Sequence, residues 1–93
     1  MGELESGSVL VTHDVGLHAR PSVKLTKLAK QFNADVEIAA APEGPWINAK
    51  SIAKVMAAKV PCNTTLFLKA RGEDAGEAVR ALIGLVERDF ELS

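Results

Sequence analysis

The chain has few residues of the kinds that mark disulfide frameworks, nucleic-acid binding or membrane insertion. Its one cysteine cannot form a disulfide within the chain, which favours a reducing compartment. Aromatic residues make up only 4% and the net charge is −1, so the stacking platforms and basic excess of nucleic-acid-binding proteins are missing. No apolar run approaches the ~20 residues that span a bilayer, and no signal-peptide pattern is present. We therefore expect a cytoplasmic protein that neither binds nucleic acid nor enters a membrane.

The composition is that of a small globular protein. The chain has 93 residues, of which 47% are hydrophobic, enough for one core without disulfide or metal support. We expect a single domain over residues 1–93. His13 and Cys62 lack the clustered spacing of a metal site, so we expect neither a metal ion nor another cofactor.

The hydrophobic pattern predicts alternating strands and helices. Alternation and β-rich composition predict strands over 8–13, 35–40, 46–48 and 64–70, whereas helical spacing predicts helices over 19–32, 51–58 and from 75 onward. Each helix has one apolar stripe, which needs a sheet face to cover. The order β-α-β-β-α-β-α thus predicts an α+β fold, a four-stranded antiparallel sheet with three helices on one face, as in an open-faced sandwich.

The run Gly16-Leu17-His18-Ala19-Arg20-Pro21 is the strongest chemical signal in the sequence. Pro21 lacks an N–H and is tolerated in the first turn of a helix, so His18 falls at or just before a helix start. Helix N-termini favour anions, and Arg20 adds a permanent cation suited to phosphate oxygens. Neutral histidine is a nucleophile, so the run predicts a phosphoryl group carried on His18. The alternative is a helix-capping histidine without chemistry.

Two motifs together resemble a known family. The run 16–21 and the tetrapeptide Ala49-Lys50-Ser51-Ile52 are similar to the two signatures of the HPr family, the histidine-containing phosphocarriers of the bacterial phosphoenolpyruvate-dependent phosphotransferase system. The resemblance implies that His18 accepts a phosphoryl group on Nδ1 from phosphorylated enzyme I and passes it to a histidine of an enzyme IIA. It also implies that Arg20 steadies the phosphate, and that the protein is a monomeric carrier rather than an enzyme.

The second motif carries an implied regulatory site. Ser51 stands where a helix N-cap is expected, and the resemblance implies a serine kinase/phosphorylase that modifies it in some bacteria. Its phosphate would lie beside Ile52 and Met56, which the resemblance places in the partner-docking surface. A plain capping serine is the alternative.

Three residues near the first helix complete the expected partner surface. We include Ala19, which adjoins His18, and Lys24 and Lys27, whose charges attract acidic partners. The alternative for both lysines is a solvated helix face.

Two other functions remain open at this point. One is a regulatory binding module of a nitrogen-related or carbon-control branch, in which partners recognise phosphorylated Ser51 or His18. The other is an enzyme that uses His18 as nucleophile or base, which the lack of a matched second catalytic group disfavours. Two departures from the family pattern are Trp46 beside Pro45 and the stretch 59–63, which replaces a segment that commonly contains glycine.

Overall fold

The computed structural model describes residues 3–12, 16 and 19–90 of the chain. Four strands and three helices alternate along these residues. Their bounds are β1 Glu3–Val11, α1 Ala19–Ala29, β2 Asp35–Ala39, β3 Ile47–Asn48, α2 Ile52–Ala58, β4 Thr64–Gly72 and α3 Ala75–Glu87. In this part of the chain no helix is both long and apolar enough to cross a bilayer.

The four strands form one antiparallel sheet in the order β1-β4-β2-β3. The central strand β4 pairs with β1 from Thr64 opposite Val11 to Gly72 opposite Glu3, and with β2 on its other side. The short β3 pairs only with β2, through Ile47 opposite Ile38. The predicted α+β open-faced sandwich is confirmed.

The core lies between one face of the sheet and the helices. Successive strand side chains point to opposite faces, so the buried residues alternate with exposed ones along each strand. The sheet contributes Val9, Val11, Val36, Ile38, Leu66, Leu68 and Ala70 to this core. The helices contribute Leu25 and Ala29 from α1, Val55 from α2, and Ala75, Ala78, Val79, Leu82, Leu85 and Val86 from α3. The other sheet face is left without helices, as the fold prediction requires.

β1 and α1 differ most from their predicted bounds, whereas the other elements differ by at most two residues. β1 begins at Glu3 rather than at residue 8, because its nine residues all pair with β4 although Glu3 to Ser8 contain no β-branched side chain. α1 ends at Ala29 rather than at residue 32, since the next turn tightens: the N–H of Phe32 donates to the Ala29 carbonyl at 3.2 Å. The apolar spacing of the predicted first helix gives a stripe of Leu25, Leu28, Ala29 and Phe32. Leu25 and Ala29 are fully buried, and Leu28 and Phe32 are partly buried against the core.

Asp74 links the exit of α1 to the start of α3. Its two carboxylate oxygens accept hydrogen bonds from the backbone N–H groups of Asn33 at 2.8 Å and Ala34 at 2.7 Å. The hydrogen bond from Asn33 is the main cause that lowers the pKa of this carboxyl below its ordinary value, with smaller help from Ala34 and the Lys50 charge against partial desolvation. The carboxylate therefore stabilises the turn that leads into β2.

Candidate functional site

The start of α1 presents an exposed arginine. Arg20 is the second residue of the helix, and the first turn contains no acidic residue that could neutralise it. Its guanidinium forms no ion pair or hydrogen bond with any other described residue. Pro21, which follows, is buried in the first turn as predicted. Because the first-turn N–H groups of a helix lack intrahelical partners, this end of α1 combines a free cation with the positive end of the helix dipole.

His18, the predicted phosphoryl acceptor, lies outside the described residues, whereas Ala19 is the first residue of α1 and is exposed. Gly16, two residues before His18, is described and buried. Its φ of +65° is in the left-handed region that glycine adopts readily. A Cβ there would collide with the carbonyl oxygen of Val60 and lie 2.7 Å from the carbonyl carbon of Pro61. Glycine is therefore required at this position by both conformation and space.

Ser51 is the N-cap of α2, as its sequence position predicts. Its backbone is extended, with φ −104° and ψ 109°, and its Oγ accepts a hydrogen bond from the N–H of Lys54 at 3.3 Å. The preceding Lys50 is held on both sides: its N–H donates to Asn48 Oδ1 at 2.9 Å and its Nζ donates to the Phe32 carbonyl at 2.7 Å. The half-exposed Ser51 hydroxyl thus stands on a firmly fixed turn.

The predicted docking residues of α2 are exposed apolar side chains. Ile52 is 36% exposed and Met56 41% exposed, one helical turn apart on a helix that buries only Val55. The structure adds Val23 of α1, which is 40% exposed, to this group of exposed large hydrophobic residues. Sequence reasoning missed Val23. The signal was its helical position: it lies off the buried stripe of Leu25 and Ala29 and three residues after Arg20, which puts it on the exposed face of α1.

The two predicted lysines of α1 have different surroundings. Lys24 is half-buried, and its Nζ donates a hydrogen bond to the Phe90 carbonyl at 2.7 Å. Phe90 is itself buried, and its N–H donates to the Leu85 carbonyl in the turn that ends α3. Lys24 therefore joins α1 to the end of α3, whereas Lys27 is exposed. Sequence pattern alone did not separate these two roles, because Phe90 lies 66 residues away.

The helices beside the Arg20 end share a positive charge. No aspartate or glutamate occurs between residues 16 and 34, or between 44 and 72, so α1 and α2 contain no acidic residue. The basic residues in these two helices or directly after them are Arg20, Lys24, Lys27, Lys30, Lys54 and Lys59. This excess favours a partner with an acidic surface. Over residues 3–12, 16 and 19–90, no group of three histidine, cysteine, aspartate or glutamate side chains is placed to hold a metal ion.

Comparison with known proteins gives a consistent result. A model of the family described as "PTS HPr component phosphorylation site" matches residues 5–88. The "Phosphocarrier protein HPr" of Mycoplasma capricolum is 39% identical over 75 residues, which cover 81% of this chain and 82% of that protein.

Solved structures agree with the sequence comparison. A crystal structure of HPr from Thermoanaerobacter tengcongensis superposes with a TM-score of 0.85 at 31% identity, covering 95% of this chain and 99% of that chain. A crystal structure of an HPr dimer from the same organism has a TM-score of 0.72 at 34% identity, covering 83% and 86%.

The fold and the matched sequence define a phosphocarrier protein, a class that carries a phosphoryl group and is not a catalytic enzyme. The chain belongs to the HPr family of the phosphotransferase system.

Proposed function

We propose that His18 carries the phosphoryl group in a relay from phosphorylated enzyme I to a histidine of an enzyme IIA. Nδ1 of His18 attacks phosphorus, and a new N–P bond forms as the bond to the donor's nitrogen breaks. The second transfer repeats this exchange with the acceptor histidine, so the carrier returns unchanged. The observation that carries the proposal is the exposed, unpaired guanidinium of Arg20 at the α1 start, two residues after His18 in a matching motif.

Arg20 is proposed to stabilise the phosphate on His18. A phosphorylated side chain brings roughly −1.5 to −2 charges. Among residues 3–12, 16 and 19–90, Arg20 has no acidic partner to release before it meets that charge, and its planar donors fit phosphate oxygens.

The test uses phosphoenolpyruvate, enzyme I and the purified chain, with intact mass measured under neutral conditions. The wild type is expected to gain one acid-labile phosphoryl group, and the variant His18→Ala none. The chain has only two histidines, so His13→Ala is the matched control and should be labelled like the wild type. Labelling of His18→Ala equal to the wild type would overturn the proposal.

The proposed contacts with enzyme I and enzyme IIA are formed by exposed residues of α1 and α2, two helices that pack against each other. Ala19, Ile52 and Met56 supply exposed apolar surface, and Lys27 supplies charge. Lys24 contributes to this charge while its ammonium remains bonded to Phe90. The proposed partner surface is therefore apolar at α2 and basic along α1, and it fits an acidic rim around an apolar patch.

Regulation through Ser51 is a second proposal, which the geometry of the cap supports. The hydroxyl is half-exposed and adjoins Ile52, so a phosphate there would place negative charge at the edge of the proposed docking surface. A serine kinase/phosphorylase is the implied modifying enzyme. The same geometry serves the alternative function, a regulatory module of a nitrogen-related or carbon-control branch whose partners recognise phosphorylated Ser51.

Ser51 variants separate regulation from helix capping. Ser51→Asp adds charge and keeps a capping oxygen, whereas Ser51→Asn keeps the cap without charge. We expect Ser51→Asp to raise KM for enzyme I and Ser51→Asn to leave it unchanged. Equal KM values for the two variants would contradict the proposed switch.

We further propose that the protein acts in the cytoplasm as a monomer. The dimer known for the Thermoanaerobacter tengcongensis relative makes the oligomeric state a point for measurement. Sedimentation at working concentration should give the monomer mass, and a stable dimer would contradict this proposal.

A further inference from the structure

Gly16 is held against a second backbone segment at a distance that only glycine permits. The added Cβ described above would collide with the Val60 carbonyl oxygen and lie 2.8 Å from the Pro61 Cα. These contacts are with backbone atoms, which cannot relieve a collision by a change of rotamer as a side chain can. Gly16 stands two residues before His18 and four before Arg20. The chain is thus fixed in space immediately before the proposed phosphoryl acceptor.

The segment that holds Gly16, residues 59–63, is itself fixed at both ends; we call it the clamp segment. At one end Lys59 closes α2 with φ +51°, and its N–H donates to the Met56 carbonyl at 3.3 Å. At the other end Asn63 has φ +66°, and its N–H donates to the Val11 carbonyl of β1 at 2.7 Å. The clamp segment therefore spans from α2 to β1.

The middle of the clamp segment has little freedom. Val60 is 3% exposed and belongs to the core, so its backbone is anchored by its own side chain. Pro61 is exposed, but its ring fixes φ near −65° and limits the backbone that faces Gly16. Lys59 and Asn63 both adopt the left-handed conformation without being glycine, a strained arrangement that the surrounding contacts maintain.

We propose that Val60 and Pro61 are positioning residues for phosphoryl transfer, which act through Gly16 on the chain that leads to His18. This inference rests on the proposed function of His18. In-line transfer needs the attacking nitrogen held at a short distance and a defined angle from phosphorus, and small displacements lower the rate strongly. Val60 and Pro61 are the clamp-segment residues that contact Gly16, and neither belongs to the proposed partner surface, so we expect them to act on the transfer step and not on partner affinity.

The test measures transfer from phosphorylated enzyme I by rapid quench, with kcat and KM both calculated from the concentration of folded carrier that circular dichroism gives. Gly16→Ala is expected to lower kcat at least about tenfold while KM stays within about twofold. Gly72→Ala is the matched control, because Gly72 also has a positive φ of +141° and an added Cβ would lie 2.9 Å from Ala34 Cα. Gly72 lies at the far end of β4, opposite Glu3 in β1, so its variant should lose stability but keep kcat per folded molecule.

A second variant keeps the test decisive if Gly16→Ala folds poorly. Pro61→Gly changes an exposed residue and removes the φ restriction, so we expect a folded protein with kcat lowered about fivefold and KM unchanged. Pro61→Ala retains part of the restriction and should fall between the wild type and Pro61→Gly.

The outcomes separate the two levels of the proposal. If the wild type carries no phosphate on His18, the proposed function fails and the positioning role fails with it. If the wild type is phosphorylated but Pro61→Gly and Gly16→Ala match it per folded molecule, only the positioning role is overturned. A rise in KM with unchanged kcat would also overturn it, since that result assigns the clamp segment to partner binding.

Discussion

α2 and α3 are both rich in apolar residues but use them differently. α3 buries six residues over Ala75–Glu87, including the fully buried Leu82 and Leu85. α2 buries only Val55 over Ile52–Ala58, and it leaves Ile52 and Met56 exposed. The apolar side chains of α3 therefore stabilise the fold, whereas those of α2 remain available to a partner. If the proposed docking surface is right, stability and recognition depend on different helices of the same layer.

The largest expected effect on this comparison is loss of stability from α3. Leu82→Ala removes a fully buried side chain, so we expect the free energy of unfolding to fall by about 2–5 kcal/mol. Urea denaturation checks the value, and transfer per folded molecule should stay that of the wild type. A fall in stability below about 1 kcal/mol would show that α3 is not the main anchor of the core.

The next effect is on recognition by α2. Met56→Glu places a negative charge in the exposed patch that is proposed to meet an acidic partner, so affinity for unphosphorylated enzyme I should fall about tenfold. Its effect on unfolding should stay within about 0.5 kcal/mol, because the side chain is 41% exposed. Titration calorimetry and urea denaturation measure the two quantities. Unchanged affinity would place the docking surface elsewhere.

A smaller effect distinguishes two lysines on α1. Lys24→Ala removes the hydrogen bond to the Phe90 carbonyl and should lower the free energy of unfolding by about 1 kcal/mol. Lys27→Ala, the matched control on the same helix, changes an exposed residue and should alter it by less than about 0.5 kcal/mol. If the two variants have the same free energy of unfolding, the hydrogen bond between α1 and the end of α3 makes no measurable contribution to stability.

The smallest effect concerns acid stability at the turn before β2. The pKa of Asp74 is lowered in the folded state, so its stabilising contribution is present above the unfolded pKa of about 3.9 and is lost as pH falls through the folded pKa. The free energy of unfolding of Asp74→Asn should therefore differ most from that of the wild type above about pH 4, and the two values should converge in stronger acid. Urea denaturation at a series of pH values measures this difference. A difference that stays constant with pH would contradict the assigned hydrogen bonds from Asn33 and Ala34.

Sequence patterns anticipated the elements that form from local periodicity. The apolar spacing of α3 and the alternation of Leu66, Leu68 and Ala70 each report on one element, and both are confirmed. The capping role of Ser51 was equally readable, because a cap depends on residues three positions apart.

The features that sequence could not supply are contacts between distant segments. The early start of β1 depends on its ladder with β4, and the partners of Lys24 and Asp74 lie 66 and 41 residues away. The contact of Gly16 with Val60 and Pro61 is of the same kind, since a glycine predicts a turn but not the backbone that packs against it. The exposure of Val23 is different, because its helical position off the buried stripe of α1 is readable from local spacing.

The account depends most on the residue that bears the phosphoryl group. After incubation with phosphoenolpyruvate and enzyme I, fragmentation by mass spectrometry under neutral conditions locates the phosphate along the chain. The prediction is a single phosphorylated residue, His18, within the run Gly16 to Pro21. Phosphate found on His13 or on Ser51, or no phosphate under conditions that label a known HPr, would contradict the account.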